Sequence, residues 1–286
     1  MIIAIASGKG GTGKTTVAVS LAMAVETPVT YLDCDVEEPN GQIFIKPHLH
    51  KKEPVNILVP EVDKSLCNGC GECSKFCQFN AIISLGGTEA IVFADLCHSC
   101  GGCKIICPCN AIKETETEIG HVEIGKKDNI HFVHGKLDIS KSMSPPVIRA
   151  VKSWIEKDRL TIIDCPPGTA CPMVTAVSGA DYTLLVTEPT PFGLNDLKIA
   201  VETLRLLNIP FGVVLNRFDA GDDRIIKYCG DENIKIIMKI PDKKRIAESY
   251  SRGESLLTSI PSVKKNLLDI ITIAGKEIEN FNQGKK

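Results

Sequence analysis

The stretch Ser7 to Thr16, SGKGGTGKTT, limits the possible fold more than any other part of the chain. It fits the phosphate-binding pattern G-x-x-x-x-G-K-[ST] at every fixed position, with Gly8, Gly13, Lys14 and Thr15 in those places. The apolar, β-branched run Ile2 to Ala6 precedes it and the apolar-rich Val17 to Val25 follows, so a strand, a loop and a helix are expected in that order. Glycines let the backbone take positive φ and bring N–H groups onto a polyphosphate, while a helix beginning near Lys14 turns its positive end to the same charge. The expected cradle is Gly8, Gly10, Gly11, Thr12, Gly13, Lys14, Thr15 and Thr16, with Lys14 on the β- and γ-phosphates and Thr15 on Mg²⁺.

A second feature is duplicated. Cys67, Cys70, Cys73 and Cys77 form C-x2-C-x2-C-x3-C, and Cys97, Cys100, Cys103 and Cys107 repeat it, followed this time by Pro108. This is the ligand pattern of bacterial ferredoxins, twice. The repeat extends beyond the cysteines, pairing Gly71 with Gly101 and Asn80-Ala81-Ile82 with Asn110-Ala111-Ile112. Three cysteines two residues apart in a tight turn can each ligate a separate iron of one cubane, with the fourth ligand arriving from elsewhere. Zinc sites favour two separated C-x2-C pairs, so two 4Fe-4S clusters are the expectation. The chain has 13 cysteines. In a secreted chain they would read as disulfides, but there is no signal-peptide layout and no apolar run of ~18 residues, so a cytoplasmic, metal-binding chain is expected.

The cysteine module, residues 62–115, interrupts an alternation of strands and helices that resumes after it. The expected domains are therefore 1–61 and 116–286 for one α/β nucleotide-binding domain, with 62–115 inserted as an α+β ferredoxin-like module. Val29 to Asp33, Leu160 to Asp164, Tyr182 to Thr187, Phe211 to Asn216 and Ile234 to Lys239 read as buried strands of a doubly wound, mostly parallel sheet. Asn56 to Pro60, His121 to Ile124 and Ile130 to His134 read as short strands, Glu114 to Glu118 as a polar connection, and Pro146 to Lys157 as a helix. Leu267, Ile270, Ile271, Ala274, Ile278 and Phe281 follow helical spacing, as a stripe that packs on the domain rather than a membrane anchor. With a formal net charge of -2 and scattered basic residues, composition gives no support for nucleic-acid binding.

Lys9 places a second lysine in the glycine-rich loop, and GKGGTGKTT resembles the deviant Walker A motif of the MinD/ParA family of ATPases. Asp33-Cys34-Asp35 resembles that family's D-x-D, and Asp164-Cys165-Pro166-Pro167-Gly168-Thr169 its switch II. The resemblance implies that Lys9 reaches a partner's nucleotide in an ATP-sandwiched homodimer, or a heterodimer with a close paralogue. It also implies that Asp35 positions the attacking water, Asp33 supports the metal, Asp164 holds the Mg²⁺ shell and Gly168 offers its N–H to the γ-phosphate. Asn216, Arg217 and Pro241 would lie beside the base. Asn216-Arg217-Phe218-Asp219 also partly mimics the guanine reader N-K-x-D, so ATP is expected and GTP is the competitor. By resemblance to two-cluster ferredoxins, Cys107 completes the cluster of Cys67, Cys70 and Cys73, and Cys77 completes that of Cys97, Cys100 and Cys103. Cys34, Cys165 and Cys171 read as buried small side chains. Cys171 also stands near the place where the distantly related nitrogenase iron protein bridges a cluster between subunits, but without that family's second bridging cysteine, so a Cys171-bridged metal is the lesser alternative.

These features together lead to an ATP hydrolase with iron–sulfur redox centres, acting in ATP-gated electron transfer or metalloprotein maturation on a redox or apo-metalloprotein partner. A scaffold or carrier of iron–sulfur clusters is the alternative. A MinD-like spatial-positioning ATPase is a third reading, which the absent membrane anchor and absent basic patch disfavour.

Overall fold

In the computed structural model, residues 1–87 and 89–283 are described; residues 88 and 284–286, which fall inside the expected domain spans, lie outside the described residues. The chain forms two compact units. The first comprises Met1–Lys52, Val122–Lys136 and Ile148–Lys286, and the second Glu53–His121 and Leu137–Val147.

In the first unit, β1 (Ile2–Ala6) leads through the glycine-rich loop into α1 (Lys14–Ala24), followed by β2 (Val29–Asp33) and α2 (Gly41–Ile45). The strand β3 (His48–Val62) carries the chain into the second unit. There α3 (Glu72–Phe76), β4 (Ile82–Ile83), β5 (Ile91–Val92) and α4 (Gly102–Ile106) follow, before β6 (Ile112–Lys127) brings it back. The remainder runs β7 (Ile130–Leu137), α5 (Ser144–Lys152), β8 (Leu160–Asp164), α6 (Cys171–Val177), β9 (Tyr182–Thr187), α7 (Pro191–Leu206) and β10 (Phe211–Asn216). It closes with α8 (Arg224–Asp231), β11 (Ile236–Ile240), α9 (Lys244–Ser251), α10 (Leu256–Ser259) and α11 (Val263–Gln283).

The large sheet has the order β11-β10-β9-β1-β8-β2-β7-β6-β3. From β11 through to β7 every pairing is parallel. Such strands are covered on both faces, which is why β2 and β9 are buried at every position and read as largely apolar runs without polar alternation. Helix α1 is buried to the same degree, with Val17, Ala18, Val19, Leu21 and Ala22 all fully enclosed. It is apolar nearly all round because it lies in the core rather than on its surface. Leu267, Ile270 and Ala274 of α11 join that core, with Ile271 and Ile278 packed against it.

Several elements depart from the sequence reading; β7 runs on to Leu137 and β11 begins at Ile236. The strand expected at Asn56–Pro60 is the middle of the 15-residue β3, and the expected polar connection Glu114–Glu118 lies within the 16-residue β6. Both strands alternate buried with exposed residues, and β3 ends the sheet order, where charged residues such as Lys51, Lys52 and Glu53 discourage pairing with another chain. Helix α5 starts and stops earlier than expected, because Pro145 and Pro146 fit its first turn and Trp154 closes a tighter turn on the Val151 carbonyl at 3.2 Å. Among the described residues no helix is long and apolar enough to cross a membrane.

Candidate functional site

At the C-terminal end of β1 the chain turns sharply, and two glycines are there by necessity. Gly13 has φ +91°, and a Cβ on it would stand 2.4 Å from Asn216 Nδ2. A Cβ on Gly8 would stand 2.4 Å from the Asp196 carbonyl oxygen, so the loop lies directly on α7. Asn216, at the end of β10, donates its side-chain amide to the Thr12 carbonyl at 2.8 Å and ties the opposite wall to the loop.

A cavity of about 410 Å³ opens over the first turn of α1. Gly10, Gly11, Gly13, Lys14, Thr15 and Thr16 form its floor, and Asp35, Asn216, Arg217 and Pro241 stand on its sides. Gly8, Lys9, Thr12, Asp164 and Gly168 are outside that lining. The Gly168 N–H, expected at a γ-phosphate, donates instead to the Ser7 carbonyl at 3.0 Å. Glu38, Asn40, Pro167, Lys243 and Tyr250 line the cavity without having been assigned from sequence. Their only sequence signal was proximity to the D-x-D, the switch-like segment and the Ile240-Pro241-Asp242 loop.

Lys14 is the electrostatic centre. Its ammonium lies 3.0 Å from Asp164 Oδ1 and 3.4 Å from Asp35 Oδ2, and only 7% of its side chain is exposed. Burial disfavours its charge, but the Asp164 and Asp35 carboxylates outweigh that and hold its pKa above the usual lysine value. Burial pushes the Asp35 carboxyl up to about 6, against the pull of Lys14. Asp33 is fully buried, and burial with the neighbouring Asp164 raises its pKa too. Its two oxygens accept N–H bonds from Asp35 at 3.2 Å and Gly41 at 2.8 Å. Asp33 therefore shapes the loop that carries Asp35.

Lys9 lies 3.9 Å from Glu188 Oε2, while Arg217 approaches the other oxygen of Glu188 at 3.2 Å. Asp219, the diagnostic position of the guanine reader, does not line the cavity and accepts the Asp242 N–H at 2.6 Å.

In the second unit the two cysteine repeats fold alike. Gly71 and Gly101 have φ +79° and +70° ahead of α3 and α4, and Asn80 and Asn110 have φ +52° and +51° behind them. Ala81 N–H donates to Cys77 Sγ and Ala111 N–H to Cys107 Sγ, both at 3.3 Å. One small cavity is lined by Cys67, Cys70, Cys73 and Cys107, with Cys109 also present, and a second by Cys77, Cys97, Cys100 and Cys103. The second is larger, at about 490 Å³, and bounded by Phe76, Phe79 and His98, of which Phe79 and His98 stack at 3.5 Å. Gly102 has no room for a side chain because the Phe76 ring lies against it. Burial raises the thiol pKa of Cys73 and Cys97, and takes that of Cys103 to about 11. Among the described residues no three His, Cys, Asp or Glu side chains converge on the position of one metal ion. Cys34 and Cys165 are buried and Cys171 is exposed.

Comparison with known proteins agrees with this geometry at the level of family and fold. Residues 3–257 match the family model described as the CobQ/CobB/MinD/ParA nucleotide binding domain. An uncharacterized protein of Methanocaldococcus jannaschii is 34% identical over 90% of this chain and 91% of its own. An iron–sulfur cluster carrier protein of Aquifex aeolicus is 27% identical over 98% of this chain and 68% of its own. Among solved structures, the septum site-determining protein MinD of Pyrococcus horikoshii, complexed with Mg-ADP, superposes with a TM-score of 0.58 at 21% identity, covering 96% of this chain and 98% of that one.

Proposed function

This chain belongs to the CobQ/CobB/MinD/ParA nucleotide-binding family, and on that premise we propose that it is a Mg²⁺-dependent ATPase coupled to two 4Fe-4S clusters, serving ATP-gated electron transfer or the maturation of iron–sulfur proteins. One observation carries this reading. A single chain holds a glycine-lined cavity centred on Lys14 and, separately, two cavities that each collect four of the eight motif cysteines, three from one repeat and one from the other.

The residues fit what the reading asks of them. Thr15 and Asp164 would supply the hydroxyl and carboxylate oxygens that suit Mg²⁺, which when bound neutralises charge on the β- and γ-phosphates. Cys67, Cys70, Cys73 and Cys107 would hold one cluster and Cys97, Cys100, Cys103 and Cys77 the other, each supplying a one-electron centre. The N–H bonds to Cys77 and Cys107 would tune such a centre. When the phosphates of ATP enter, Lys14 exchanges its carboxylate partners for phosphate oxygens. The glycine N–H groups and the α1 N-terminus then share the phosphate charge. Asp35, on the cavity wall, would orient the attacking water. Lys9, outside the cavity and weakly paired with Glu188, is free to exchange that partner for the nucleotide of a second copy.

The reading is tested on anaerobically purified protein by EPR-monitored titration with Mg-ADP and with a non-hydrolysable ATP analogue. Nucleotide-dependent midpoint potentials support ATP-gated electron transfer. The similarity to an iron–sulfur cluster carrier favours a second reading, cluster delivery to an apo-protein. Unchanged potentials together with cluster transfer to an acceptor would select it. Absence of nucleotide binding would remove both.

Two predictions follow from the nucleotide site. Lys9→Ala is expected to keep Mg-ADP affinity within about twofold, to abolish ATP-dependent dimers in sedimentation velocity, and to lower turnover by about 10³-fold, the scale of a charge supplied in trans. An ATP-dependent dimer in the variant would contradict the role in trans. Because Asp219 is committed to the Asp242 backbone, Asp219→Ala is expected to leave a preference for ATP over GTP in place. A parent enzyme that turns over GTP faster would overturn the adenine assignment.

A further inference from the structure

We propose that Tyr31 is the positioning residue of the nucleotide site, holding Asp164 in the orientation needed for the metal shell through a phenol hydrogen bond. This rests on the ATPase reading above. Asp164 is fully buried at the C-terminal end of β8, and each of its oxygens has one side-chain partner. Lys14 donates to Oδ1 at 3.0 Å, and Tyr31 Oη donates to Oδ2 at 3.1 Å.

The two partners have different fates. Lys14 belongs to the phosphate-binding loop, and incoming phosphates compete for its ammonium. Tyr31 cannot follow it. Its side chain is fully buried in the middle of β2 and its ring stacks on Phe132 at 5.7 Å and 9°. The parallel register pairs Tyr31 with Ile162 and Asp33 with Asp164, so the phenol reaches two residues along the neighbouring strand to meet the carboxylate. Only a long side chain with a terminal donor spans that offset; leucine or phenylalanine would fill the core and leave Oδ2 without its donor.

The local sequence makes room for this contact. A Cβ on Gly41 would lie 2.7 Å from Tyr31 Oη and 2.9 Å from Asp33 Oδ2, so glycine at 41 leaves space for the phenol and also donates its N–H to Asp33. Once Lys14 is drawn to phosphate, Tyr31 is the remaining side chain that fixes the rotation of the Asp164 carboxylate. Residues that orient the first ring of metal ligands typically matter by about 10–100-fold in affinity or activity.

Tyr31→Phe tests this with the ring and its stack preserved. Calorimetry with ADP is done with and without Mg²⁺, alongside steady-state ATP hydrolysis over a Mg²⁺ series. Metal-free ADP affinity is expected to be unchanged, the tightening by Mg²⁺ to fall about tenfold, and kcat to fall about tenfold with little change in KM for ATP. Phe132→Leu removes the stacking ring but leaves the phenol, and is expected to lower Tm while preserving the Mg²⁺ response. A Tyr31→Phe protein with the parent's Mg²⁺ dependence overturns the proposal, whatever its Tm. So does a Phe132→Leu protein that loses the Mg²⁺ response to the same extent. A parent protein that binds no nucleotide would instead sink the ATPase reading, a separate result.

Discussion

Lys14→Ala is expected to lower ATP turnover by about 10²–10³-fold and also to destabilise the nucleotide-free protein by about 3–5 kcal/mol, the cost of breaking a buried ion pair from one side. Loss of turnover is what a phosphate-binding lysine implies. Loss of stability follows from where this lysine rests, in van der Waals enclosure between Asp164 at 3.0 Å and Asp35 at 3.4 Å. Its removal leaves Asp33, Asp35 and Asp164 together without a buried cation. The pKa values of Asp33 and Asp35, which Lys14 holds down in the parent, rise further, and the pH dependence has a definite sign. A carboxyl whose folded pKa exceeds its unfolded value of 3.8 binds more protons in the folded state, so stability falls as pH rises through that interval. With Asp35 already at about 6 in the parent, the deficit of the variant is expected to be small near pH 4 and largest above pH 6. Lys14→Met keeps most of the volume and loses the charge, so it should melt like Lys14→Ala. Urea unfolding at two pH values checks this, and a variant as stable as the parent at pH 7 would remove the electrostatic account.

Much of the nucleotide unit was legible because its physics is local. Ile2–Ala6, Val29–Asp33, Leu160–Asp164, Tyr182–Thr187 and Phe211–Asn216 are strands with the bounds their apolar runs imply, since a strand covered on both faces needs no polar alternation. The long strands β3 and β6 escaped that test because they alternate, and their Lys, Glu and Thr residues look like linker when read for hydrophobicity alone. In the site, Gly13, Lys14 and Thr15 are fixed by spacing. Contacts made across the sheet are not. The Tyr31–Asp164 bond joins residues 133 positions apart, and the Asn216–Thr12 bond residues 204 apart, so neither leaves a mark in any short window. The same limit applies to Gly168 and Asp219, whose motif roles depend on atoms that the fold commits to Ser7 and Asp242.

Cys77→Ala is expected to remove the cluster that Cys100→Ala removes, although Cys77 belongs to the other repeat. Each single variant should lower iron from about eight to about four atoms per chain and delete one EPR signal. Alanine is preferred to serine because a serine oxygen can replace a thiolate. Adjacency in sequence predicts the opposite grouping, with Cys77 serving Cys67, Cys70 and Cys73. The fold separates them. Cys73 lies in α3 with Cys77 directly after it, and Cys103 lies in α4 with Cys107 directly after it; Cys77 lines the cavity of Cys97, Cys100 and Cys103 while Cys107 lines that of Cys67, Cys70 and Cys73. Double variants separate the two groupings without reference to spectral assignment. Crossed ligation makes Cys77→Ala with Cys100→Ala no worse than either alone, at about four iron atoms, whereas Cys77→Ala with Cys70→Ala retains almost none. Ligation within each repeat reverses both results. The measurements belong in a Cys109→Ala background as well, because Cys109 lines the first cavity and offers a spare thiol there. Zinc assayed in the same samples guards the remaining case, since four thiolates around one zinc ion would give bound metal with no iron and no EPR signal in any variant.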